Sequence, residues 1–140
     1  MITAQKIAEA MGGRAVFHRE FRSMHELDQL ISNGEMPRRA LDVLARKLSD
    51  ETAFKYSIMP KASYTRHESL PTKHAQSTER LARVFALTVE IWQDEPDARR
   101  FLAAPHPELG GDTPLTRARS EIGAREVEEV LDRARYGFPV

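Results

Sequence analysis

Three groups of side chains in this 140-residue chain could do chemistry. The first is the histidines, His18, His25, His67, His74 and His106, which could ligate a metal or move protons near neutral pH. None has the H-x-x-x-H spacing, with a supporting carboxylate, that sets two imidazoles on one helical face for zinc. The second is the acidic run Glu126, Glu128, Glu129 and Asp132, where paired carboxylates could serve as general acid and base. Glu128 and Asp132 are one helical turn apart, however, beside Arg125, Arg133 and Arg135, which reads as a solvated, salt-bridged face. The third is a stretch in which Lys55, Lys61, Arg66 and Lys73 alternate with Tyr64, His67 and His74, a pattern suited to a polyanion.

Other catalytic patterns are missing. Ser63 and Ser120 have no nucleophile-elbow residues around them, and Gly110-Gly111 lacks the lysine and the strand–loop–helix setting of a phosphate cradle. The expectation is a protein that binds rather than catalyses, with no cofactor and no metal.

Composition narrows the class. With 41% hydrophobic and 30% charged residues the chain is globular, and it has enough apolar material for one ordinary core or two small subdomains. Lys+Arg and Asp+Glu are equal at 21 each, so no global field attracts nucleic acid. The distribution is uneven: residues 1–73 carry 12 basic and 9 acidic side chains, and residues 74–140 carry 9 and 12. A polyanion therefore belongs on the N-terminal half. The absence of cysteine fits a reducing compartment. Neither a signal-peptide apolar core nor a membrane-length apolar run is present, and the expected location is the cytoplasm.

The elements that must position these residues are helical. Apolar spacing follows the helical period nearly throughout, and the brief Ala15-Val16-Phe17 is too short to argue a strand. A helix runs from Thr3 to Met11 and leaves through Gly12-Gly13. Ser23 with Glu26 forms a capping box ahead of Leu27, Leu30 and Ile31, stopped by Asn33-Gly34. Pro37 suits a first helical position before Ala40, Leu41, Leu44 and Leu48. Ser49 or Asp50 caps a short helix holding Phe54 and Ile58, Pro60 resets the chain, and Lys61 to His67 forms a third short helix. Three such helices are compatible with a helix-turn-helix, in which Lys61, Ser63, Tyr64 and Arg66 would face the DNA major groove.

The polar segment 68–76, with Pro71, marks a division into residues 1–70 and 71–140. Ser77 caps the strongest helix, with Leu81, Val84, Phe85, Thr88, Ile91 and Trp92 at core spacing. After the turn Asp94 to Asp97 come Ala98, Phe101 and Leu102, the loop His106 to Gly111, a short helix opened by Pro114, and a last helix from Ser120-Glu121. That helix buries Ala124, Val127, Val130 and Leu131 and stops at Gly137. Beyond it, Phe138-Pro139-Val140 put an aromatic and a proline where a partner could take them.

From about Ser77 to Phe138 the chain resembles the toxin-binding antitoxins of the MbcA/ParS/Xre family. The resemblance is carried by Arg80-Leu81-Ala82-Arg83-Val84, Ala98-Arg99-Arg100-Phe101-Leu102, Pro105-His106-Pro107-Glu108-Leu109-Gly110-Gly111, Thr113-Pro114-Leu115, Glu121-Ile122-Gly123-Ala124-Arg125-Glu126-Val127, and Leu131 with Tyr136-Gly137. Upstream, Met36 to Leu41 and Ile58 to His67 look like the family's Xre-type helix-turn-helix. The usual turn glycine is absent there, with Ser57 nearby, and His67 stands where a second arginine is expected.

The resemblance implies an all-α fold, with an Xre-like helix-turn-helix part packed on a C-terminal toxin-binding domain. It also implies a type II antitoxin that neutralises a RES-domain toxin, an enzyme that degrades NAD or transfers its ADP-ribose. The blocking element it implies is Arg133, Arg135, Tyr136, Gly137, Phe138, Pro139 and Val140, with an aromatic group and a carboxylate entering a cleft shaped for an anionic dinucleotide. It further implies a homodimer within a hetero-oligomeric complex, and repression of its own operon. The rival reading is a dimeric helix-turn-helix transcription regulator with no toxin partner.

Overall fold

The longest apolar period in the sequence becomes the axis of the molecule. In the computed structural model, which describes residues 2–137, helix α7 (Thr72–Trp92) runs for 21 residues and buries Leu81, Ala82 and every position from Val84 to Thr88. Burial around the whole circumference means that it is packed on all sides, and its two buried hydroxyls, Thr78 and Thr88, bond back to the carbonyls of His74 and Val84.

Before α7 come α1 (Ala4–Ala10), α2 (Arg14–Phe17), α3 (Met24–Ser32), α4 (Arg38–Leu48), α5 (Lys55–Ile58) and α6 (Lys61–Arg66). After it come α8 (Glu95–Ala103), a 3-10 turn (Pro107–Leu109), α9 (Pro114–Arg117) and α10 (Glu121–Arg135). The class is all-α. Among the described residues there is no strand, only one antiparallel bridge between Pro37 and Ser69 that ties the entry of α4 to the exit of α6. No described helix is long and apolar enough to cross a membrane. Helix α7 touches α1, α3, α4 and α5 on one side and α8 and α10 on the other, and one buried cluster runs from Ala4 to Leu131.

Most helix starts follow the capping residues. Thr3, Ser23, Asp94, Thr113 and Ser120 each accept a backbone N–H from the first turn of their helix. Glu26 completes its box one residue early, accepting from Arg22 N rather than from the cap.

Three local expectations change, and one open segment is placed. Helix α7 begins at Thr72, not after Ser77, because Ala75 is buried and extends the core face toward Pro71; the Ser77 hydroxyl instead bonds back to Lys73 O. Ser49 and Asp50 do not cap α5: Ser49 closes α4, and α5 is one turn that begins at Lys55 with no side-chain cap. Pro37 stands at the cap of α4 rather than inside it. Ala15-Val16-Phe17 lie in the single turn α2, which ends on His18 in the left-handed conformation.

Candidate partner-binding site

Helix α10 lies parallel to α7, and its apolar stripe Ala124, Val127, Val130 and Leu131 is buried. Ion pairs then align the two helices along their length. Arg80 meets Glu121 at 3.0 Å near the start, Arg83 meets Glu128 at 2.9 Å, and Glu90 meets Arg135 at 2.9 Å at the end. Two residues of the acidic run are thus salt-bridged, but between elements: Glu128 pairs with Arg83 of α7, and Glu126 with Arg117 of α9. Arg83 also reaches Glu79, whose carboxyl is pushed above the ordinary range, first by burial and against the opposing charge of Arg83.

The residues at the end of α10 come together at one corner. Tyr136 is 75% exposed, and Gly137 follows with φ +82°. Arg135 binds one oxygen of Glu90 while Lys6, from α1, binds the other at 3.2 Å. Burial raises the Glu90 carboxyl, but the hydrogen bond from Lys6 and the charges of Lys6 and Arg135 outweigh it, and the group titrates below the usual carboxylate range. Arg133 pairs with Glu108 of the 3-10 turn. Phe138, Pro139 and Val140 lie outside the described residues.

The loop that carries Glu108 is built around a buried imidazole. His106 is 8% exposed, and its Nδ1 accepts from Glu108 N at 3.1 Å, so it acts as the cap of the 3-10 turn. Its ring stands edge-on to Phe101, which packs against Trp92 at 4.7 Å between centroids. Its backbone N–H donates to Asp112 O, which closes the loop.

Residues 87–137 match the family model described as the antitoxin Xre/MbcA/ParS C-terminal toxin-binding domain. This segment is therefore similar to an antitoxin's toxin-binding domain. The match covers the end of α7, where Glu90 lies, and everything through α10. No curated protein matches the chain. In the matched segment, Glu90 and Glu108 were not legible as site residues, because their cationic partners are 45 and 25 positions away. One signal existed: a carboxylate in the last turn of α7 opposes the helix dipole and calls for a nearby cation.

The four residues placed at a DNA surface do not act alike. Lys61 and Arg66 are exposed on α6 and Ser63 is half-buried. Tyr64 is half-buried and held by its own chain. Its hydroxyl lies 2.7 and 2.9 Å from the two Asp42 oxygens and 3.2 Å from Lys55 Nζ, and the Arg38 guanidinium covers its ring at 4.6 Å. Burial, and then the bond to Asp42, raise its hydroxyl above the usual phenol range. His67, in place of an arginine, sets Nδ1 2.8 Å from Ser63 O and closes the end of α6. No group of three or more potential metal ligands occurs among the described residues.

Proposed function

We propose that this chain is a type II antitoxin that neutralises a RES-domain, NAD-consuming toxin by blocking the toxin's NAD-binding cleft with the end of α10 and the residues that follow, Arg133 to Val140. The reading makes the chain a stoichiometric inhibitor rather than an enzyme, acting in the cytoplasm as a homodimer within a larger complex. The observation that carries it is Tyr136, a large side chain left three-quarters exposed at the end of a well-anchored helix inside the toxin-binding segment. An exposed aromatic beside paired arginines is the composition of an interface anchor.

Co-expression with a RES-domain toxin tests it. The intact chain should protect growth and cellular NAD, and a chain lacking Tyr136 to Val140 should not, even where the two proteins still co-purify. Unchanged protection by the shortened chain would overturn the proposal.

The outward-facing Lys61 and Arg66 on α6 support a second role, autorepression through promoter DNA. Replacing both by alanine should weaken promoter binding in gel shifts and reduce its salt dependence by about two phosphate contacts, with toxin neutralisation intact. Identical shifts for the parent and the variant would sink this role.

A further inference from the structure

The last turn of α10 has no apolar attachment. Leu131 is the final buried side chain of the helix, and from Asp132 to Gly137 every described residue is half-buried or exposed. Helix ends fray where nothing holds them, because the final carbonyls have no intrahelical partners. Two side-chain attachments hold this one. Arg133 binds Glu108, whose backbone is fixed by the buried His106, and Arg135 binds Glu90, which also holds Lys6. Tyr136 N donates to Asp132 O and Arg133 O at 3.3 and 3.2 Å, so its direction depends on this turn staying wound.

Both arginines therefore have partners within the chain. Moving the Arg133 guanidinium onto another protein would leave Glu108 without its cation near the carbonyl end of α10, and moving that of Arg135 would leave Glu90 with Lys6 alone at the carbonyl end of α7. A carboxylate is unfavourable there, since that end of a helix carries partial negative charge.

We propose that Glu90 and Glu108 form a clasp that fixes the direction in which the chain leaves α10, and that Arg133 and Arg135 serve toxin inhibition by holding Tyr136 in place from inside rather than by touching the toxin. Glu90, Glu108 and Lys6 are then positioning residues, and α1, outside the matched segment, becomes part of the toxin-binding apparatus. The inference rests on the reading that the end of the chain blocks the toxin, and it narrows the residues that touch the toxin to Tyr136 and those that follow.

Charge exchange tests it on the full chain. Glu108→Arg should weaken inhibition of the toxin about fivefold, the upper range for a partly exposed pair, and adding Arg133→Glu should restore it to within about twofold. Arg133 acting directly on the toxin predicts the opposite, a double variant worse than either single one, and that result overturns the clasp. A Glu90→Gln chain should show faster amide hydrogen exchange over residues 132–137 without any toxin present, and unchanged exchange also overturns it. If removal of residues 136–140 leaves inhibition intact while the exchange result holds, the blocking reading fails and takes the inhibitory role of the clasp with it, while the clasp as the anchor of the α10 end stands.

Discussion

Gly123→Ala should lower the melting temperature by roughly 10 °C, a loss of about 3 kcal/mol. The position lies in the first turn of α10 with ordinary helical backbone, so alanine's better helix propensity alone would favour the change by about 1 kcal/mol. Space decides the sign. A Cβ there would lie 1.8 Å from the carbonyl oxygen of Arg117, 2.7 Å from its carbon and 2.9 Å from the Ser120 hydroxyl. Two of those atoms are backbone, and the Arg117 carbonyl also accepts the Ser120 N–H at 3.3 Å, so no side chain can swing away. The corner between α9 and α10 must open, which also removes the Ser120 cap on Gly123 N. Gly110→Ala and Gly111→Ala make the comparison. Both residues have positive φ but open space, so each should cost only about 1 kcal/mol of left-handed backbone strain. A Gly123→Ala chain that melts with the Gly110→Ala chain would show that the corner yields freely.

What the sequence could show depended on how local each interaction is. Helix starts at Thr3, Ser23 and Ser120 were readable because a cap and its N–H partner are three residues apart, and that of α9 because Pro114 suits a first helical position. The start of α7 was not, since Thr72 to Gln76 look like a polar linker and only the packing of Ala75 against the rest of the core keeps them helical. The single-turn α5 was misjudged for the related reason that its single buried side chain, Ile58, gives no period to read. Tyr64 shows the limit at a site. An aromatic between basic residues signals a nucleic-acid surface in one dimension, but Asp42, 22 residues earlier, claims its hydroxyl. Gly123 was visible as one residue of a family pattern, and its steric reason appears only once Arg117 is folded beneath it.

Phe85→Ala should cost about 4 kcal/mol and should do so in both halves of the chain at once. Phe85 is 2% exposed at the middle of α7, with Lys47 of α4 above its ring at 5.9 Å, and its neighbours Val84, Ala86 and Leu87 are buried too. A helix packed all round transmits a cavity to everything docked on it. The halves share a second tie, since Arg119, in the corner between α9 and α10, donates to Ser57 O at 2.7 Å at the end of α5. The two sides of a division near residue 70 are therefore expected to unfold together, with α7 as their common wall. Denaturant titration can decide this with two probes, because Trp92 is the only tryptophan and reports the segment matched by the family, while circular dichroism reports every helix. The two curves should coincide in the parent chain and shift together in Phe85→Ala. Should the dichroism show an earlier step that leaves the Trp92 transition in place, the segment matched by the family folds without the N-terminal helices, and Lys6 cannot be an essential part of it.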